Sequence, residues 1–158
     1  MKSNKNKLKC ALGVCTPKTL QIGLFLKIKI CEVCGKILEE DWRVRYDVTG
    51  NKNTPTEVLR ELAKDEDWYV RYKVARNENT PAEVLKELAK DEEEHVRWGV
   101  TYNKNTPVDV LKKLAKDKNW YVRSGVAGNI NTPAEILREL ANDENWSVRC
   151  EVAGNKNM

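Results

Sequence analysis

Residues 51–76 read NKNTPTEVLRELAKDEDWYVRYKVAR, and the pattern then returns. Asn77 opens NENTPAEVLKELAKDEEEHVRWGVTY, Asn103 opens NKNTPVDVLKKLAKDKNWYVRSGVAG, and Asn129 opens NINTPAEILRELANDENWSVRCEVAG. The period is 26 residues without insertion, and Asn155 starts a further copy that reaches Met158. A fixed period of roughly 20–50 residues marks a solenoid, in which each unit buries its apolar face only against its neighbours. The fold expected from residue 41 onward is therefore all-α.

One copy encodes two helices. Thr54 is expected at the N-cap, Pro55 at the first helical position and Glu57 two positions on, where it can reach back to the cap. Val58, Leu59, Leu62 and Ala63 share one face at helical spacing, and Glu57, Arg60, Glu61 and Lys64 take the wet face. Asp67 is a plausible N-cap for a second helix, in which Val70 and Val74 point inward together. Short antiparallel helices joined by a tight turn make one unit.

Several columns recur in every copy. The valine pairs 44/48, 70/74, 96/100, 122/126 and 148/152 form the core. Arg45, Arg71, Arg97, Arg123 and Arg149 form a ladder, and Asp65, Asp91, Asp117 and Asp143 lie six residues before the last four of them. Aspartate and arginine at every step can bond within and between units. The same arginines could instead present a stripe to phosphate or carboxylate ligands. The asparagines of each N-x-N-T-P corner tolerate left-handed backbone and can bond the chain locally where the second helix ends.

The unit N-x-N-T-P-x-E-V-L-x-x-L-A-x-D, followed by V-R-x-x-V-A, resembles the leucine-rich repeat variant family over Asn51–Gly154. The Asp-to-Arg spacing of six is also similar to that of HEAT repeats, in the wider armadillo-like group. The resemblance implies a right-handed, strand-free superhelix whose second helix can be of the 3₁₀ type. The units are a half repeat at 41–50 and full repeats at 51–76, 77–102, 103–128 and 129–154, within a solenoid spanning 41–158.

Of the 158 residues, 33% are charged, as a thin solenoid with a large wet surface requires. The net charge of +4 is unevenly distributed. Residues 1–36 hold Lys2, Lys5, Lys7, Lys9, Lys18, Lys27, Lys29 and Lys36 against Glu32, so the basic character belongs to the N-terminus. Such a segment serves as a solubilising tail or attracts an acidic surface or nucleic acid. Residues 1–9 read as a disordered basic tail. The apolar run Leu20–Ile30 is too short to span a membrane and includes Lys27 and Lys29. No secretory signal is recognisable, so a cytoplasmic protein is expected. Leu20, Ile22, Leu24, Leu26, Ile28 and Ile30 alternate with period two, which favours a strand or extended ribbon foreign to the repeats.

Residues 10–40 read as a Cys-rich cap. Cys10, Cys15, Cys31 and Cys34 have the spacing C-x4-C-x15-C-x2-C. Four thiolates from one short segment can close a tetrahedral zinc site or ligate a [4Fe–4S] cluster, and both remain open. Cys31-x-x-Cys34-Gly35-Lys36 looks like a zinc-ribbon knuckle. The placement just before the first repeat resembles the N-terminal iron–sulfur segment of some repeat-variant proteins. Unliganded reduced thiols are the plain alternative. Cys150 reads as a small hydrophobe.

Trp42, Trp68, Trp120 and Trp146 share one column at the start of the second helix, and Glu94 interrupts it. One turn on, the face carries Tyr46, Tyr72, Trp98, Ser124 and Cys150. A neighbouring column holds Tyr69, His95 and Tyr121. These rings either pack between repeats or form a strip near arginines that suits a peptide or unstacked bases.

No catalytic constellation is present in the sequence: His95 is the single histidine and has no nucleophile paired with it. Glu92, Glu93 and Glu94 read as a solvated helix start. A non-enzymatic interaction scaffold with an unnamed protein partner is expected. A nucleic-acid-binding protein and an iron–sulfur redox protein docking through its repeats are the alternatives. Val148, Val152 and Ala153 are expected to form an open edge, which either supports a weak end-to-end homodimer or continues into a longer array.

Overall fold

The computed structural model describes residues 17–22, 26–31 and 42–158. From Trp42 on, the protein is an α-solenoid. Its second helices are α1 (Trp42–Gly50), α3 (Trp68–Arg76), α5 (Glu94–Tyr102), α7 (Trp120–Gly128) and α9 (Trp146–Gly154). Its first helices are α2 (Thr56–Leu62), α4 (Ala82–Leu88), α6 (Val108–Leu114) and α8 (Ala134–Leu140). Both helices of each unit are α-helical, so the 3₁₀ option is not taken. Two antiparallel strands stand before them, β1 (Pro17–Ile22) and β2 (Leu26–Cys31), with Pro17 opposite Cys31 and Ile22 opposite Leu26. The alternating stretch 20–30 thus falls in two paired strands, as its period-two pattern favoured, while the described solenoid residues 42–158 contain no strand.

First helices of seven residues cannot persist in water by themselves. Packing holds them. Leu59, Leu85, Leu111 and Leu137 are wholly buried, as are Val70, Val74, Val96, Val100, Val122 and Val126. Burying each such side chain stabilises by about 1.5–3 kcal/mol. The second helices pack side by side through the array, whereas each first helix rests mainly on second helices. That closer spacing makes the second helices the inner wall. Val148 and Val152 are also buried, so of the open edge expected at Val148, Val152 and Ala153 the structure exposes Ala153 and not the valines.

The corner between units differs from its sequence reading. Thr54 is not an N-cap. Its hydroxyl donates to the Val48 carbonyl at 2.5 Å, and Thr80, Thr106 and Thr132 repeat the bond to Val74, Val100 and Val126. The end of a helix leaves carbonyls without intrahelical partners, and a buried one must be satisfied. The threonine does that, and an extended Pro55 (φ −61°, ψ 147°) starts α2 without a side-chain cap. Asp67 does cap α3, accepting from the Tyr69 amide at 2.9 Å; Asn119 and Asn145 do the same for α7 and α9.

The corner asparagines are extended rather than left-handed; Asn77 has φ −70° and ψ 128°. They bond across units as well as locally. Asn77 Nδ2 donates to the carbonyls of Thr49 and Asn51 at the preceding corner, at 2.7 and 3.1 Å, while its Oδ1 accepts from the Asn79 amide. Asn103, Asn129 and Asn155 repeat this rung.

The arginine ladder is a second set of rungs. Arg71 grips Asp91 of the following unit through Nε at 2.7 Å and Nη2 at 2.9 Å, and its Nη1 donates to the carbonyls of Asp65 and Glu66 in its own unit. Arg97 and Arg123 repeat the pattern with Asp117 and Asp143, and Arg45 grips Asp65. Each aspartate also accepts an amide two residues on. This occupancy makes Arg45, Arg71, Arg97 and Arg123 structural and takes them out of a ligand-facing stripe; the exposed Arg149 donates to the carbonyls of Asp143 and Glu144.

Candidate binding face

The rings of the second helices meet one another across units. Trp42 touches Tyr46 within its own helix and stacks on Tyr69 of the next unit, with centroids 5.9 Å apart. Tyr69 stacks on Trp68 at 3.7 Å, and Trp68 lies 5.0 Å from His95. His95 meets Tyr121 edge-on at 6.3 Å, and Tyr121 stacks on Trp98 at 4.3 Å and meets Trp120 edge-on. Trp98 in turn stacks on Tyr72 at 6.0 Å and meets Tyr102 at 4.6 Å. Rings from α1, α3, α5 and α7 therefore form one connected network.

The network has two layers. Tyr46, Trp68, Tyr72 and Trp98 pack on the core and are half-buried. His95 and Tyr121 are also half-buried. Trp42, Tyr69, Tyr102 and Trp120 keep 37%, 46%, 54% and 43% of their surface exposed. An exposed aromatic strip seated on a packed one gives rings that are held by ring neighbours and still open to solvent. Trp146 is 66% exposed and has no ring neighbour in the network.

Sequence reasoning missed Tyr102 and the cations around the rings. The Arg43 guanidinium lies 5.2 Å from the Trp42 ring, and Lys73 Nζ lies 4.7 Å from Tyr46. Arg76 reaches across a unit boundary: it donates to the Tyr72 hydroxyl at 2.7 Å and sits 5.1 Å from the Tyr102 ring. Positions 76 and 102 are equivalent in the repeat, so a column comparison would have paired them. Burial raises the Tyr102 phenol above its ordinary pKa, and the Glu151 carboxylate adds to that. Burial likewise raises Tyr121.

Small residues set the spacing of the wall. A Cβ on Gly125 would overlap Thr101 Oγ1 and come within 2.9 Å of Trp98 Cδ1. Gly99 faces Tyr72 and Ala75 in the same way. The glycines let adjacent second helices approach until the rings touch.

Glu93, Glu94 and His95 bring their ligand atoms within 4.8 Å of one another, and they are the one metal-competent cluster among the described residues. The His95 Nδ1 to Glu93 Oε1 distance is 2.8 Å. Glu93 makes no side-chain cap bond to α5, unlike Asp67, Asn119 and Asn145 at the equivalent position. The side chains of Cys10, Cys15, Cys31 and Cys34 lie outside the described residues; Cys31 enters only as the last backbone position of β2. No described helix is long and apolar enough to cross a membrane.

No family model and no curated protein matches the chain. Among solved structures it is similar to one described as a leucine-rich repeat variant with a novel repetitive protein structural motif. Identity is 27% over 75% of this chain, with a TM-score of 0.36. The chain spans 57% of that structure's length.

Proposed function

We propose that this protein is a non-enzymatic scaffold, related to the leucine-rich repeat variants, that holds an extended segment of a cytoplasmic protein partner along the rings of its second helices. The observation that carries the reading is the exposed layer of Trp42, Tyr69, Tyr102 and Trp120 seated on packed rings from consecutive units. Rigid aromatics with little rotamer entropy to lose are the usual anchors of protein interfaces. Arg43, Lys73 and Arg76 among the rings favour a segment that carries carboxylates or backbone carbonyls.

Panning a random linear peptide library on the purified chain tests this reading. Selected peptides are expected to lose about tenfold or more in affinity on the Tyr69→Ala and Trp120→Ala chains, about 1.4 kcal/mol or more per anchor. Peptides that bind both variants like the wild type would refute it. Single-stranded RNA binding with a steep salt dependence would favour the nucleic-acid reading instead.

The four cysteines we assign to a metal centre, zinc or [4Fe–4S]. The support is their spacing together with the hairpin register. Pro17 pairs with Cys31, so the strand ends nearest Cys15 and Cys34 lie side by side. When bound, such a centre would cross-link the cap and stabilise it. Anaerobic purification followed by a visible spectrum and metal analysis separates the cases. Broad absorbance near about 400 nm means iron–sulfur, colourless protein with bound zinc means zinc, and metal-free protein contradicts the assignment.

A further inference from the structure

The first helices carry a different chemistry from the ring wall. Between α4 and α6 lies a hollow of about 380 Å³. Ala89, Val110 and Leu114 line it, and Lys86, Lys90, Lys113 and Lys116 stand around it. Its one carboxylate is Asp117, already held by Arg97 at 2.7 and 3.0 Å and by the Asn119 amide at 2.9 Å. Lys86 pairs with Asp109 at 3.2 Å. Lys90, Lys113 and Lys116 are exposed, with no carboxylate within ion-pair distance among the described residues.

The repeats supply their own control. The position of Lys113 is glutamate in every other copy, at Glu61, Glu87 and Glu139. The position of Lys118 is likewise glutamate, at Glu66, Glu92 and Glu144. In the corresponding space between α2 and α4, Glu87 replaces Lys113, while the Arg60–Glu83 ion pair crosses between the helices as Lys86–Asp109 does in the cleft. Between α6 and α8, Glu139 and Asn142 take the places of Lys113 and Lys116. Neither reversal adds anything to the core or the rungs, which Val110, Leu111, Leu114 and Asp117 already provide.

We propose that the α4–α6 cleft is a second docking site, for a short acidic peptide segment of a partner protein. Charge complementarity selects an anion. The width of the positive field selects a short one: it covers about one repeat, some 10 Å at ordinary helix spacing. Glu83 and Glu87 lie on one side, and Glu135 and Glu139 on the other. A long polyanion or a membrane surface would lie across those carboxylates and be repelled. Lysines act as point charges without a fixed fork, which suits the varied orientations of aspartate and glutamate in a flexible segment.

Fluorescence anisotropy of a labelled oligoglutamate peptide tests the site. The wild-type chain is expected to bind it, with affinity falling as salt rises. Lys113→Glu installs the residue of the other three copies, so folding is retained, and binding should weaken about tenfold or more. Lys113→Gln should weaken it by a smaller factor, and Lys64→Glu, outside the cleft, should leave it unchanged. Equal binding by wild type and Lys113→Glu overturns the proposal. So does tighter binding of single-stranded RNA or anionic vesicles that Lys113→Glu abolishes, since the occupant would then be an extended polyanion. Self-association of the wild type that Lys113→Glu abolishes would make a second copy the occupant, and also refutes it.

Discussion

Arg97 divides its donors between two units: Nε and Nη2 hold Asp117, and Nη1 holds the carbonyls of Asp91 and Glu92. It is buried, so removing it strands a buried carboxylate. Arg97→Ala should cost about 3–5 kcal/mol in urea unfolding. Among the described residues Arg149 makes only the two carbonyl bonds, to Asp143 and Glu144, and it is exposed. Arg149→Ala should cost about 1 kcal/mol, and equal costs would contradict the division of roles. Asp143 gives the ladder a pH signature. The Arg123 guanidinium holds its carboxyl below the ordinary value, the Asn145 amide assists, and burial opposes both. A depressed folded-state pKa contributes stability above the unfolded value of about 3.9, and that stability is lost as pH falls through the folded value. The stability gap between wild type and Asp143→Asn should therefore be constant from neutral pH to about 5 and narrow below about 4. A gap independent of pH would remove this role for the carboxylate.

At the scale of elements, contacts between second helices set the ring wall. Gly125→Ala should raise intrinsic helix propensity by about 1 kcal/mol, yet it forces the buried Thr101 and the half-buried Trp98 to move. We expect net destabilisation of about 1–2 kcal/mol and altered tryptophan fluorescence; a stabilised variant with unchanged fluorescence would contradict this packing. The helices were legible in the sequence because Val70, Val74, Leu59 and Leu62 repeat at helical spacing and the period never slips. The aromatic columns were legible for the same reason. Local motifs were less so. Thr54-Pro55 reads as a capping start, but the threonine answers a buried carbonyl at the end of the preceding helix, a demand visible only once helices stack. The corner asparagines bond across units for the same reason. Tyr102 and Arg76 escaped because their contact joins two repeats, and reading along one copy never places them together.

For the whole molecule, rungs of asparagine and arginine join every pair of neighbours, so short helices unfold as a coupled array. Asn103→Ala removes three bonds in the middle of that array, two donated to the carbonyls of Ala75 and Asn77 and one accepted from the Asn105 amide. It should lower stability by about 2–3 kcal/mol and separate the circular-dichroism and tryptophan-fluorescence transitions, which coincide in the wild type. Coincident transitions in the variant would mean that the rungs add little to coupling. The ring wall and the lysine cleft lie on different helix layers, so a partner can engage one without the other. The most direct test of the scaffold reading is hydroxyl-radical footprinting of the chain with and without a peptide selected on it. Protection is expected at Trp42, Tyr69 and Trp120, with Trp146 unchanged as the internal reference. Protection confined to the first helices, or none at the rings, would contradict binding along the second-helix wall.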